Sequence, residues 1–173
     1  MIIKKRKLLI VLFSVLFVIS IFILIPYQRC LVFQFQNSGQ VIAYMPISSS
    51  ESFRIKYTHS IHLSDVVESY KLTKDGEIKL YEMEYEDFSI GMPSHASDGE
   101  RFEQIDGKYY LKNMNQVFPS FDLRVGKVRA DHTLIFKGKE YPLSHSIEPG
   151  TWTRIKIEKI NLWQQWKGVN IIE

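Results

Sequence analysis

At 173 residues with 45% hydrophobic content, the chain has room for one domain with a real core. Its net charge of +3 comes from Lys4, Lys5, Arg6 and Lys7. Without these four cations, 18 of the 22 lysines and arginines remain against 19 acidic residues, so the rest of the chain is near neutral. A near-neutral domain gives a nucleic-acid partner no electrostatic support, and a single cysteine excludes an internal disulfide.

The first predicted element is an apolar run at residues 8–25, which carries no charge. As a helix it would be ~27 Å long, close to the hydrocarbon thickness of a bilayer. We therefore predict a membrane anchor, with residues 1–30 as basic cytoplasmic tail and transmembrane helix, and residues 31–173 as an extracytoplasmic domain. A cleaved signal peptide is the alternative, although no small-residue cleavage pattern follows the run. Bulky residues before Cys30 disfavour a lipoprotein signal.

Short strand patterns fill the rest of the chain, and no segment has the length and period of a long helix. This pattern predicts an all-β fold, a single antiparallel sandwich or partly open barrel of about eight or more short strands. The predicted strand segments are 31–36, 40–44, the two arms of 53–72, 77–88, the two arms of 102–111, 121–125, 134–136, 141–143 and 151–157.

Turn residues place several of the connections. Asp106-Gly107 predicts a two-residue hairpin turn that pairs Phe102 with Leu111. Gly138-Lys139 predicts another turn, and Pro142 marks the strand after it as an edge strand.

Three further local features complete the predicted fold. A change of apolar parity at residues 80–81 indicates a bulge. Residues 113–120 are predicted to be irregular, and Asn161 is predicted to cap a short C-terminal helix that ends at Gly168.

The predicted hairpin of residues 53–72 carries the candidate site. A turn centred on Leu63-Ser64 would set His59 opposite Glu68. It would also set Tyr57 opposite Tyr70, on the same apolar face. An imidazole beside a carboxylate suits proton transfer or recognition of an anion, and a hydrogen-bonded structural pair is the alternative.

Other residues contribute less specific signals. The loop-like segment 89–100 contains His, Asp and isolated glycines, and loops of this kind often carry binding sites. The histidines and acids lack the spacing of a metal site, and no nucleophile elbow is present, so we predict no metal, no cofactor and no assigned catalytic residue. The predicted ligand-binding positions are Tyr57, Thr58, His59, Ser60, Glu68, Tyr70, Gly91, Pro93, His95 and Asp98.

The run Tyr57-Thr-His-Ser60, followed by Glu68 and a later Gly-x-Pro, resembles the pattern of a bacterial family of small extracytoplasmic domains whose function is not established. Members often follow one membrane segment, and their genes commonly lie beside TRAP transporters of the TAXI type. The resemblance covers residues 53–93 and implies a transporter context. The matching positions are Tyr57, Thr58, His59, Ser60, Glu68, Gly91 and Pro93.

Three functional hypotheses follow. The first is a membrane-anchored accessory or ligand-binding domain that docks a transporter's solute-binding protein or permease, or holds a small carboxylate near His59 and Glu68. The second is a hydrolase or isomerase in which Glu68 orients His59 as a base, with Asp98 or His95 of the loop assisting. The third is a structural envelope protein whose Trp163 and Trp166 complete the core.

Overall fold

The computed structural model describes residues 2–60, 63–86, 93, 95–127 and 130–173. Within these residues a long helix precedes a β domain, and a short helix lies near the end of the chain. The helices are α1 (Ile2–Leu24) and α2 (Leu162–Lys167). The strands are β1 (Gln28–Phe35), β2 (Val41–Pro46), β3 (Ser52–Thr58), β4 (Asp65–Leu72), β5 (Ile78–Tyr85), β6 (Arg101–Ile105), β7 (Lys108–Phe118), β8 (Ser120–Arg124), β9 (Thr133–Phe136), β10 (Lys139–Pro142), β11 (Trp152–Ile160) and β12 (Val169–Asn170).

The strands form two sheets that pack face to face. The first sheet has the order β12-β2-β1-β11-β8, and the second has the order β10-β9-β3-β4-β5-β7-β6. One core joins them, with Leu31 and Phe33 of the first sheet in the same apolar cluster as Phe53 and Ile55 of the second. The predicted all-β sandwich is therefore confirmed, and β8 is left as an edge strand of the first sheet.

Helix α1 is long and apolar enough to cross a membrane, with a mean hydropathy of 2.9 in its Lys5–Leu24 segment. Its end contacts the β domain, where the Asn161 side chain donates to the Leu24 carbonyl at 3.1 Å. The Tyr27 backbone N–H then donates to the Ile160 carbonyl at 3.2 Å, so the pairing of β1 with β11 begins within a few residues of the end of α1.

Strand β1 is buried on both faces, which is why it reads as an almost continuous apolar run. Cys30 and Val32 face a second apolar cluster on the outer side of the first sheet, together with Val41, Tyr44 and Ile160. Burial raises the pKa of the Cys30 thiol to about 12. Cys30 is therefore a core residue, and in this fold it is not accessible for lipid attachment.

Two hairpins test the turn predictions. Phe102 pairs with Leu111 around Asp106-Gly107, as predicted. Phe136 pairs with Lys139, however, so the next turn consists of Lys137-Gly138 and the prediction was wrong by one residue. Both turn residues have positive φ, 51° and 76°, which is the type I′ geometry with glycine second. β10 is an edge strand, as Pro142 indicated.

A bulge lies where the sequence predicted it, because Ser69 pairs with Glu82 while Tyr70 pairs with Leu80, which skips Tyr81. The facing strand β7 compensates with extra residues around Asn113, which has a positive φ of 59°. The bulge allows β7 to continue to Phe118, so the prediction of an irregular segment at 113–120 was wrong.

The chain end forms the predicted capped helix. The Asn161 side chain accepts from the Gln164 backbone N–H, and the Gln164 side chain accepts from the Asn161 N–H, which is a capping box. Gly168 ends α2, as predicted. The two-residue strand β12 was not predicted, because a pattern of two residues carries no period.

Candidate functional site

The β3–β4 hairpin closes two residues earlier than predicted. Glu68 lies opposite Ile55, and the backbone N–H of His59 donates to the Ser64 carbonyl at 2.8 Å. The predicted pairing of His59 with Glu68 is therefore wrong. The observed turn contains Leu63, whose φ of 57° is unusual for a leucine.

The register error is an even number of residues, so each side chain keeps its predicted face. Tyr57 pairs with Val66 and Tyr70 pairs with Phe53, not with each other as predicted. Both tyrosines still point to the inner face of the second sheet, where they bracket Glu68. The Tyr70 hydroxyl donates to Glu68 Oε2 at 2.5 Å, and the Tyr57 hydroxyl makes a longer contact of 3.5 Å with Oε1.

Glu68 faces a cleft of about 360 Å³ between the two sheets. The cleft opens beside β8, the edge strand of the first sheet. Its walls are mainly aromatic and aliphatic, with a few polar groups among them, which is the usual composition of a small-molecule site. The described residues that line it are Tyr57, Glu68, Tyr70, Leu80, Met83, Gln116, Phe118, Phe121, Asp122, Leu123 and His132.

The imidazole in this cleft belongs to His132. Its ring stacks on Tyr57 with centroids 5.5 Å apart, and its Nδ1 accepts the backbone N–H of Gly126 at 3.0 Å. Burial lowers the pKa of His132, against the smaller opposing effect of Asp131. An Nδ1 that accepts a hydrogen bond carries no proton, so the ring is neutral and presents Nε2–H as a donor.

The carboxyl group of Glu68 is held mainly by phenols. Burial raises the pKa of Glu68, while the hydrogen bonds from Tyr70 and then Tyr57 oppose that rise. Burial, followed by the charge of Glu68, raises the pKa of both tyrosines, so their hydroxyls stay protonated donors. Among the described residues Glu68 has no lysine, arginine or histidine partner in an ion pair. When Glu68 is ionised, its charge is therefore uncompensated within the described part of the cleft.

The second carboxylate of the cleft, Asp122, is compensated. Arg154 on the neighbouring strand β11 binds it through both oxygens, at 2.9 Å and 3.1 Å. In the described ranges no three His, Cys, Asp or Glu side chains converge as metal ligands. The cleft thus offers one free carboxylate, a neutral imidazole donor and aromatic faces.

The other predicted hairpin positions lie outside the cleft lining. Thr58 points to the opposite face, where its hydroxyl donates to Asp65 at 3.1 Å. Ser60 is exposed in the turn. His59 is half-buried at the start of the same turn.

The loop positions are likewise not part of the described lining. The Pro93 carbonyl accepts a hydrogen bond from the Tyr85 hydroxyl, which ties the loop to the end of β5. His95 and Asp98 are exposed. Gly91 lies outside the described residues.

Two other depressions, of about 290 and 340 Å³, lie on the outer face of the second sheet. Their lysines are already engaged, since Lys112 binds Glu103 at 2.7 Å and Lys79 binds Asn115 at 2.6 Å. Lys71 lies over the ring of Tyr81. The inter-sheet cleft is the better candidate, because it combines an uncompensated carboxylate with apolar walls.

A family model described as a domain of unknown function, DUF1850, matches residues 53–143, which is more than half of the chain. The chain belongs to the DUF1850 family. No curated protein and no solved structure matches it. Every described residue of the cleft lies within the DUF1850 match, whereas α1, β1, β11 and α2 lie outside it.

The pKa of Glu68 gives the DUF1850 domain a specific pH dependence. When burial raises the folded-state pKa of a carboxyl group, the ionised form of that group destabilises the fold. The group's contribution to the free energy of unfolding is therefore most favourable below its unfolded-state pKa of ~4.3, and it is lost as pH rises through the folded-state pKa. Glutamine stays uncharged throughout. We expect Glu68→Gln to increase the free energy of unfolding at pH 8 and to lose this advantage towards pH 4.

Denaturant unfolding of the full chain in detergent at several pH values measures this effect. Glu140→Gln is the matched control, because Glu140 is exposed and pairs with Lys56 at 2.9 Å. A Glu68→Gln variant that is less stable than the wild type at pH 8 would contradict the expected sign.

Proposed function

We propose that this DUF1850 protein is a membrane-anchored extracytoplasmic domain that binds a small solute in the Glu68 cleft and serves a TAXI-type TRAP transporter. The single observation that carries the proposal is the uncompensated Glu68 carboxylate, held by Tyr57 and Tyr70 at the floor of an open, largely apolar cleft. Burial of an unpaired charge is costly, and proteins retain it mostly where the charge has a function.

The chemistry of the described lining favours a cationic solute group over a carboxylate. Glu68 supplies a negative charge, and Asp122 is already bound to Arg154. Phe118 and Phe121, which are only partly buried, give the apolar body of the solute an aromatic wall to pack against. A carboxylate would meet the like charge of Glu68, so we propose a small organic ammonium group with an apolar body.

The proposed location follows from the sequence. The basic residues 4–7 precede the apolar segment of α1, and the positive-inside rule then places the β domain on the extracytoplasmic side. A solute site there would be open to the space from which a solute-binding protein collects its cargo. The transporter context rests on the resemblance of the Tyr57 to Ser60 run and Glu68 to the family pattern.

A genetic experiment tests the proposal. We expect deletion of the gene to reduce uptake of solute by the host's TAXI-type transporter, and the wild-type gene to restore it. Glu68→Gln should fail to restore uptake, whereas Glu140→Gln should succeed, because it removes the same charge from an exposed surface position. Uptake that is unchanged by the deletion would overturn the transporter role.

The enzyme alternative lacks its stated dyad, since Glu68 lies opposite Ile55 and His59 lies in the turn. His132 is in the same cleft as Glu68, but its Nδ1 is bound to a backbone N–H and its pKa is lowered by burial. We therefore assign His132 to the wall of the cleft, where its neutral ring stacks on Tyr57.

A further inference from the structure

Two large aromatic side chains at the end of the chain are exposed. Trp163 is 43% exposed and Trp166 is 76% exposed, and their ring centroids are 5.1 Å apart. Leu162, at the start of the same helix α2, is exposed as well. The hypothesis that Trp163 and Trp166 complete the core was wrong, and an exposed aromatic pair of this size indicates a contact surface.

Helix α2 is attached to the end of the membrane anchor. Asn161, the residue that caps α2, donates from its side chain to the carbonyl of Leu24 in the last turn of α1. Gln165 of α2 donates to the hydroxyl of Tyr27 at 3.1 Å. The tryptophans therefore lie beside the point at which the apolar run of α1 ends, and a bilayer crossed by α1 has its interface at this level.

We propose that Trp163 and Trp166 insert into the interfacial layer of the bilayer and form a second membrane contact beside α1. The inference rests on the membrane anchoring in the proposed function. Indole rings favour the membrane–water interface, where the ring is in the apolar region and the N–H meets water and headgroups. Lys167, whose Nζ lies 4.6 Å from the Trp163 ring, suits anionic headgroups. The occupant is therefore lipid, because the attachment to α1 fixes this surface at the bilayer.

The second contact would fix the height of the cleft above the membrane. Strand β11 reaches the bilayer side at Ile160, and Arg154, which binds Asp122 of the cleft, lies six residues before it. At ~3.3 Å per residue the cleft is then held at most ~20 Å from the interface, within reach of a soluble partner. A single helix with a free linker would not fix this distance.

The three tryptophans of the chain provide an internal comparison. Trp152 lies at the opposite end of β11 from Ile160, ~26 Å away along the strand. The full chain is reconstituted into vesicles of phosphatidylcholine and phosphatidylglycerol, with or without bromine on the phosphatidylcholine chains. Trp152→Phe retains the two α2 tryptophans, and the double variant Trp163→Phe/Trp166→Phe retains Trp152.

We expect brominated lipid to remove most of the fluorescence of Trp152→Phe and to leave the double variant unquenched. Equal quenching of the two variants, or no quenching of either, would overturn the inference. Protection of Trp163 and Trp166 from both bromolipid and aqueous iodide would also overturn it, because that result means that a protein partner covers them. Flotation with the vesicles is measured in parallel. If the chain does not float, the proposed anchoring fails and the inference with it; if it floats without quenching of α2, only the inference fails.

Discussion

Replacing Tyr70 by alanine is expected to cost about 3–5 kcal/mol of unfolding free energy, the largest effect among the substitutions considered. Tyr70 is 4% exposed, and its ring stacks between Phe53 and Phe121 with centroids 5.2 Å from each. Phe53 lies on β3 of the second sheet and Phe121 on β8 of the first. Tyr70 therefore joins the sheets, and its loss opens a cavity beside the cleft.

The variant Tyr70→Phe separates the ring from the hydroxyl. It keeps the stack but leaves Glu68 with only the long contact to Tyr57, so we expect a smaller loss of about 1–3 kcal/mol at a pH where Glu68 is charged. Chemical unfolding of the full chain in detergent measures both losses. Tyr81→Phe is the control, because the Tyr81 hydroxyl makes no hydrogen bond in the described part of the chain and its ring contacts Lys71 on the outer surface. Equal stability of Tyr70→Phe and the wild type would show that the short bond to Glu68 contributes nothing.

Replacing Glu68 by glutamine is expected to weaken binding of propylammonium by about 10- to 100-fold, which corresponds to the ~1.5–3 kcal/mol of a hydrogen bond to a charged group. The ligand's ammonium group would compensate the Glu68 charge, so its affinity depends on that charge. The same variant is expected to be more stable than the wild type at pH 8. Binding sites commonly combine such a gain in stability with a loss of function.

Isothermal titration of the full chain in detergent measures this change. Glu140→Gln controls for the loss of one negative charge at a distance from the cleft. Affinity of the wild type should also fall as pH decreases, and because burial raises the pKa of Glu68 the fall should begin at a higher pH than for an exposed glutamate. A Glu68→Gln variant with wild-type affinity would remove Glu68 from the binding site.

Most of the fold was predictable because its signals are local. Asp106-Gly107 selects a two-residue turn and thereby fixes the pairing of Phe102 with Leu111. Asn161 and Gln164 form the capping box of α2 without help from any distant residue. The apolar run of α1 can be recognised as a possible membrane span from its length and its lack of charge alone.

The β3–β4 register was not predictable in the same way. Residues 60–64 contain no glycine, proline, asparagine or aspartate, so the sequence favours no particular turn. The observed turn uses a left-handed backbone at Leu63, which no residue preference assigns to leucine. The alternation of side chains along the strands still predicted correctly that Tyr57, Glu68 and Tyr70 share one face. An even shift of register leaves every side chain on its original face of the sheet.

The rest of the cleft depends on contacts between distant segments. His132 lies far from Glu68 in the sequence and reaches the cleft because β9 pairs with β3. Phe121 and Asp122 reach it because β8 pairs with β11 at the edge of the other sheet. Neither pairing has a local signal. The sequence therefore predicted the carboxylate and its tyrosines correctly but paired them with the wrong histidine.

Titration of the wild-type chain with two probes of similar size and opposite charge measures whether the Glu68 cleft selects a positively charged group. We expect saturable binding of propylammonium chloride and none of sodium propionate at the same ionic strength. Binding of propionate in preference to propylammonium, or of neither, would contradict this expectation.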